Sequence, residues 1–346
     1  MTLNVAVAGT GYFSRFHFDA WSRLDGVRLV GAASLDRKGL AGVREEFSVN
    51  ATFGDVGAML DQTRPDLLDI AAPPGAHQAL LEAAASRGID VICQKPLGGD
   101  LETARAMVER AEAAGITFAV HENFRFQPWY REAKRVMDDG LLGEITNISF
   151  RLRPGDGQGP RAYLDRQPYF QTMERFLIHE TAIHLVDSFR YLMGEVSGVF
   201  ARLRRLNPAI TGEDAGYLLF AFASGADGLF DGNRLIGFAA ENPRLTMGEL
   251  LVEGTGGGLR LDGEGNLWRR SHDGPEKAHA YAWENRGFGG DCVFALQRHV
   301  LAHLRDGEPL ENGGRDYLAN LEVEDLIYRS AESGRFLSLT DRKRDR

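Results

Sequence analysis

In the first third of the chain, short apolar runs alternate with amphipathic stretches, and few folds tolerate that alternation. The runs span 4–9, 28–34, 51–53, 66–72, 90–95 and 117–123. Between them lie helix-like segments such as HQALLEAAASRG (77–88) and LETARAMVERAEAAG (101–115), each closing on glycine. Strand, helix, strand at this spacing predicts a parallel sheet with helices on both faces. After about residue 125 the rhythm changes. A helix over roughly 128–139 leads into a strand, 144–153, and a loop rich in Gly, Pro and Arg, 154–168. A helical stretch follows at 174–194, then consecutive strand-like runs joined by Gly-rich turns, then helices near 290–305 and 315–333. Strands following strands predict an open antiparallel sheet. The expected fold class is α/β plus α+β. A doubly wound parallel domain occupies 1–124. A domain on a large open, mainly antiparallel sheet occupies 125–346, its last helix able to pack back on the first domain.

The first apolar run ends in GTGYFSRFH, residues 9–17. Gly9 and Gly11 fit the first two glycines of G-x-G-x-x-G: one permits a tight turn, the other lets backbone approach a pyrophosphate at a helix N-terminus. Ser14 stands at the third position and is small enough for close helix–strand packing. In the first strand–turn–helix of such a series, the motif predicts a Rossmann dinucleotide site. The ribose is read at the end of the second strand, where NAD enzymes favour an acid. That position is Ser34, followed by Asp36, Arg37 and Lys38. Asp36 can take a ribose hydroxyl, whereas Ser34 with Arg37 or Lys38 accommodates a 2′-phosphate. The cofactor is NAD or NADP, with Ser34 tipping the reading toward NADP.

Composition narrows the function. The 346 residues carry a net charge of -9 and a pI near 5.6, which argues against nucleic-acid partners. No apolar run approaches the roughly 20 residues of a membrane span, so no membrane partner is expected. The N-terminus enters a strand pattern without a basic n-region or cleavage site, and Cys93 and Cys292 cannot make a disulfide framework. A cytoplasmic location is the expectation.

The stretch ERFLIHETAIHLVDSFRYLMG contains H-E-x-x-x-H, one residue longer than the zinc-peptidase H-E-x-x-H. On a straight α-helix at about 100° per residue, His179 and His184 diverge by roughly 140°. No metal site is therefore expected. Glu180 and His184 are i, i+4 neighbours, with Asp187 on the same face.

Several pieces, taken in order, resemble the Gfo/Idh/MocA family, the group of glucose–fructose oxidoreductase and inositol dehydrogenase. They are GTGYFSRFH with His17, AAPPGAH (71–77), CQKPL (93–97), HENFRFQP (121–128), and the E-x-x-x-H of Glu180 and His184. The resemblance spans essentially the whole chain. It implies an N-terminal Rossmann domain and a C-terminal open sheet that dimerises through its outer face. It also implies hydride exchange between a nicotinamide and a sugar, cyclitol or related polyol carbinol. Lys95 matches the lysine of the family's E-K-P motif, Glu180 an acidic position often filled by Asp, and His184 the histidine four residues on. Three positions depart: Gln94 stands for the usual Glu, Ser14 for the third Gly, and Ser34 for the ribose-binding acid.

On this reading Lys95, His184 and Glu180 are catalytic. His184 is the natural base near neutral pH. Lys95, at the C-terminal end of a parallel strand, shares or relays the proton, and Glu180 orients His184 or binds a substrate hydroxyl. The cofactor is met by Gly9, Gly11, Tyr12 and Phe13, by Ser34, Asp36 and Arg37, by Ala72, Pro73, Pro74 and His77, and by Gln94, Lys95 and Asn123. Arg125, Arg153 and Tyr163 join Lys95, Glu180 and His184 on the substrate side, since arginine and tyrosine suit polyhydroxylated or acidic ligands. The best-fitting substrate is an aldose or pentose, apiose-type included, and the expected assembly a homodimer or homotetramer through the C-terminal sheet. Two other functions share the fold. One is a glycosidase using NAD transiently. The other is a nicotinamide-sensing regulator without turnover, which would lack the catalytic groups.

Overall fold

The structure is a computed structural model that describes residues 2–339; residue 1 and residues 340–346, at the outer ends of the two expected domains, lie outside the described residues. The chain divides into two compact units. The first runs up to Asn123 and takes in Cys292–Ala319; the second holds Phe124–Asp291 and the residues from Asn320 on.

The first unit contains β1 (Leu3–Ala8), α1 (Ser14–Arg23), β2 (Val27–Ala33), α2 (Arg37–Phe47), β3 (Thr52–Phe53), α3 (Val56–Thr63), β4 (Leu67–Ile70), α4 (Pro74–Ala85), β5 (Asp90–Gln94), α5 (Leu101–Ala114) and β6 (Phe118–His121). The six strands are parallel in the order β3-β2-β1-β4-β5-β6, the doubly wound arrangement. β4 and β6 are buried at every position, as strands covered on both faces must be. One of those positions is Asp69, a carboxylate within an otherwise apolar strand.

The second unit contains α6 (Pro128–Asp138), β7 (Ile145–Leu152), a π-helix (Leu177–Ala182) running into α7 (Ile183–Met193), and β8 (Val196–Arg204), β9 (Ala215–Phe222), β10 (Asp227–Asn233), β11 (Gly248–Gly254), β12 (Gly257–Leu261), β13 (Leu267–Ser271) and β14 (Lys277–His279). Then come α8 (Cys292–Asp306), which belongs to the first unit, α9 (Gly314–Ser333), and β15 (Leu337–Ser338). Among the described residues the sheet has nine strands in the order β14-β13-β12-β11-β7-β10-β9-β8-β15. It is antiparallel except where β7 and β10 pair in parallel. Burial alternates along β9, β10 and β11, so one face meets the core. That core joins Phe150, Phe220 and Phe230 of the sheet to Trp129, Phe189 and Ile327 of the helices.

The helix at 174–194 is not straight. Its first turns close i→i+5, with the Ile183 amide donating to Ile178 O. Glu213, on the β8–β9 connection, holds this start: its Oε1 accepts from the amides of Phe176 and Ile178, each at 3.1 Å, and from Tyr328 Oη at 2.7 Å. These are amides a helix start leaves without an intrahelical partner. The 140° divergence assumed for His179 and His184 therefore does not apply, because a π turn brings positions five apart closer together than an α turn does.

Candidate active-site residues

In the first unit, the turn after β1 has room for a ligand. Gly9 sits at φ +118, and a Cβ there would stand 2.2 Å from Ala71 O, so only glycine fits. At Gly11 a Cβ would meet nothing within 4 Å. No side chain caps α1, and the Ser14 hydroxyl turns back to donate to Gly11 O at 2.7 Å. At the end of β6, Asn123 is buried with no partner for its Nδ2. An open glycine turn at the start of a helix that no side chain caps fits the pyrophosphate of a dinucleotide. Tyr12 is exposed, and Phe13 packs edge-on against His17.

At the end of β2, Ser34 Oγ accepts from Thr10 Oγ1 at 2.8 Å and from the Asp36 amide at 3.1 Å. Asp36 caps α2 through Oδ1, which accepts from the Lys38 amide at 3.0 Å. Arg37 opens that helix and is exposed. Pro73 and Pro74 start α4. His77 is corrected: its ring is fully buried and Nε2 lies 2.8 Å from Ala72 O, so it shapes the turn rather than touching a cofactor. Burial outweighs that bond and lowers its pKa, keeping the ring neutral and Nε2–H the donor.

Lys95 follows β5 at the C-terminal edge of the sheet, the edge where such folds place ligands. Its amide donates to Gln94 Oε1 at 2.9 Å. Gln94 Nε2 in turn reaches His17 Nε2 at 2.9 Å, and His17 Nδ1 lies 2.8 Å from Asp69 Oδ2. The sequence offered a clue to this network, an aspartate inside the apolar run DLLDIAA, but not its partners.

In the second unit, His184 is buried and stacks flat on Phe124, ring centroids 3.9 Å apart at 4°. His179 faces Glu324, Nδ1 to Oε1 2.7 Å. The two histidines thus have different partners despite the π turn. Among the described residues no group of three or more His, Cys, Asp or Glu is arranged to hold a metal.

Four second-unit side chains have protein partners that the sequence did not reveal. Arg125, expected on the substrate side, has its Nε and Nη2 on Asp187 at 2.7 and 2.5 Å and its guanidinium over Tyr191. Asp187 is buried and also accepts from Asn320, so it anchors α7 instead of backing His184. Arg153 gives Nη1 to Leu152 O and Asp231 O, and Nη2 to Asp231 Oδ2, which pins β7 to β10. Tyr163 is buried at φ +70, inside an aromatic cluster with Phe170 and Phe176. A bulky residue rarely holds that φ without tertiary support.

The support is Arg234, which the sequence did not single out. Its guanidinium is 2% exposed and ringed by Tyr163, Phe170 and Phe176, 4.9–5.6 Å from their centroids. Nε and Nη2 bind the two oxygens of Asp156 at 3.1 and 2.8 Å. Nη1 binds Thr181 Oγ1 at 2.6 Å and faces Glu180 Oε2 at 3.5 Å. Thr181 Oγ1 also donates to Glu180 Oε2 at 2.6 Å. One cation therefore ties the 154–168 loop to the π-helix and holds the Glu180 carboxylate.

Burial pushes the Asp156 carboxyl up, but the charges of Arg234 and Arg166 outweigh it and hold the pKa below the usual 3.8. A depressed carboxylate stabilises the fold above its unfolded pKa, and that contribution is lost as pH falls through the folded value. Melting temperature should therefore drop below about pH 4. Asp156→Asn should have a flatter acid limb and a lower neutral Tm, since removing one partner of a buried pair costs about 3–5 kcal/mol. Identical acid limbs in the two proteins would show that Asp156 does not contribute.

The sequence model for the oxidoreductase family with an NAD-binding Rossmann fold matches residues 3–122, and that of the GFO/IDH/MocA C-terminal domain matches 130–260. The chain belongs to the Gfo/Idh/MocA oxidoreductase family. It is similar to a D-apiose dehydrogenase of Paraburkholderia graminis, at 35% identity over 96% of this chain and 89% of that protein. It is also similar to a D-apiose dehydrogenase of Rhizobium rhizogenes, at 31% over 97% of each. Among solved structures, an oxidoreductase from Agrobacterium radiobacter in complex with NAD+, L-tartaric acid and magnesium superposes with a TM-score of 0.89, 30% identity and 99% coverage of both chains. This Gfo/Idh/MocA chain is thus an NAD(P)-dependent oxidoreductase acting on CH–OH groups, with an NAD-binding Rossmann domain. No helix among its described residues is long and apolar enough to cross a membrane.

Proposed function

We propose that the protein is a sugar dehydrogenase that oxidises a pentose or a related aldose of the D-apiose type at a carbinol carbon, using NAD. The observation that carries this reading is the match, over nearly the whole chain, to two D-apiose dehydrogenases, together with Lys95, Glu180 and His184 in this sequence. NAD, which the Gly9–Gly11 turn would hold, would supply the hydride acceptor for the carbinol carbon. The chain's own residues manage the proton. His184 takes it from the substrate hydroxyl, and Lys95 Nζ shares or relays it. Glu180, steadied by Thr181 and Arg234, accepts a hydrogen bond from a neighbouring substrate hydroxyl.

The cofactor reading also turns on Asp36. Ser34 alone tips the sequence toward NADP. Its hydroxyl, however, already accepts two hydrogen bonds, while the Asp36 carboxylate is fixed beside it as the cap of α2. A carboxylate there accepts from a ribose hydroxyl and repels a 2′-phosphate. This supports NAD over NADP.

The test is a panel of aldoses, polyols and cyclitols with each cofactor, followed by reduced-nicotinamide absorbance. The expected result is net reduction with a branched or unbranched pentose and at least about tenfold higher kcat/KM with NAD, the effect of roughly 1.4 kcal/mol. Turnover without net nicotinamide reduction would point to a glycosidase, and binding without turnover to a regulator. We also propose a homodimer or homotetramer through the sheet's outward face, where Tyr217, Leu219 and Leu229 are exposed and Leu219 lies opposite Leu229. Sedimentation as a monomer at micromolar concentration would exclude it.

A further inference from the structure

The network behind Lys95 is built wholly within the first unit. Its far end is Asp69, fully buried on β4. Oδ2 of Asp69 takes Trp21 Nε1 at 2.7 Å, His17 Nδ1 at 2.8 Å and Gln297 Nε2 at 3.4 Å. An indole N–H can only donate, so this oxygen is an acceptor, and His17 Nδ1 must carry the hydrogen it offers. At the near end, a backbone amide also only donates. Lys95 N–H therefore fixes Gln94 Oε1 as the acceptor, which turns the Gln94 NH2 group toward His17 Nε2. Nε2 must then present its lone pair. Every orientation in the chain follows from its two ends, Trp21 and Lys95.

The other surroundings of His17 agree. His121 of β6 stacks on its ring at 3.9 Å and 22°, and Phe13 packs edge-on. Gln94 Nε2 also lies 3.5 Å from His121 Nδ1. The facing groups are thus Asp69, Gln94, His121 and Phe13. Glutamate at 94 could not occupy this chain unchanged. It would accept from Lys95 but has no proton for His17 Nε2, so the imidazole would have to carry two hydrogens between two carboxylates.

We infer that Gln94, His17 and Asp69 form a positioning chain for Lys95, in which a neutral, Nδ1-protonated His17 lets the Gln94 amide grip the Lys95 backbone. This rests on the reading of Lys95 as a group in proton transfer. It also gives a reason for glutamine at a position where the family usually has glutamate. His17 lies on α1, the helix that starts at the glycine turn. The chain therefore ties that helix to the end of β5.

The first experiment uses the unmodified protein. Nitrogen-15 spectra of histidine-labelled protein at neutral pH should show His17 protonated at Nδ1 and not at Nε2. An imidazolium, or the opposite tautomer, would overturn the inference. In Gln94→Glu the same signals should move to the doubly protonated form, and an unmoved spectrum would also overturn it.

The second experiment is kinetic. Gln94→Leu and His17→Phe should each lower kcat about 10–100-fold, with KM for the sugar and Kd for NAD within about threefold. The double variant should be no worse than about threefold below the slower single, because both act through one contact. His17→Gln should recover most of kcat, since its amide can donate to Asp69 and accept from Gln94. If His17→Phe fails to fold, Gln94→Leu and His17→Gln still decide the matter. Additive losses, or a His17→Gln enzyme as slow as Gln94→Leu, would remove the positioning role. Lys95→Met separates the two readings: wild-type kcat in that variant would remove the role of Lys95, while the His17 spectrum would stand on its own.

Discussion

His184→Ala and Lys95→Met should each lower kcat by about 10²–10⁴-fold while NAD affinity changes by no more than a few-fold. That is the usual contribution of a positioned acid–base group. Cofactor binding survives because neither substitution touches the turn at Gly9 and Gly11. The buried His184 ring stacks flat on Phe124, so alanine also leaves a small void there. His184→Asn, which fills more of that space without a comparable base, separates packing from chemistry and should be nearly as slow. If both residues serve one hydroxyl, the double variant loses much less than the product of the single losses. A folded His184→Ala enzyme turning over at the wild-type rate across about pH 6–9 would sink the proton-transfer role. His184 would then be a ring that packs α7.

The second large effect lies at the glycine turn. Gly11→Val should weaken NAD binding at least about 100-fold, or about 2.7 kcal/mol, while the protein remains folded. The two halves of that expectation have separate causes. A Cβ at Gly11 enters open space, so the fold meets no clash. The same open space is where a pyrophosphate would approach the backbone, so the branched side chain displaces it. Gly9→Val is the contrast: there the Cβ would collide with Ala71 O, and folding itself should suffer. Calorimetric titration and thermal melting read the two outcomes. Unchanged NAD affinity in a folded Gly11→Val protein would remove the turn from the cofactor site.

What the sequence conveyed and what it concealed divide along a physical line. Strand runs and helical periodicity are local, and they located all six parallel strands and most of the second sheet. Two short pairings, β14 and β15, went unseen because three and two residues carry too little pattern. The π turn at 177–182 was invisible because it is fixed from a distance, by Glu213 beneath its first amides and Arg234 beside Thr181. Arginine partners were hidden for the same reason. Arg125 and Arg153 carry the right chemistry for a substrate, but Asp187 and Asp231 already hold them. The Gly9–Gly11 turn and the placement of Lys95 at a strand end were legible because a short motif fixes its own backbone. The Gln94–His17–Asp69 chain was not, since its members come from β5, α1 and β4.

The make-up of the first unit has a consequence for how the protein is born. Its sheet is complete in the chain by His121, yet Gln297 supplies one of the donors to Asp69, and Asn312 donates from its side chain to Val120 O. During synthesis these groups emerge only after all of 124–291. Until then a nascent chain holds a parallel sheet whose Asp69 carboxylate lacks one of its three donors and whose Val120 carbonyl has the Glu122 amide but not Asn312. Each missing hydrogen bond of this kind withholds about 0.5–1.5 kcal/mol. The nucleotide-binding sheet is therefore delivered by the ribosome before Phe124–Asp291 of the second unit and sealed after them, and a chain cut short anywhere before 292 lacks Gln297 and Asn312.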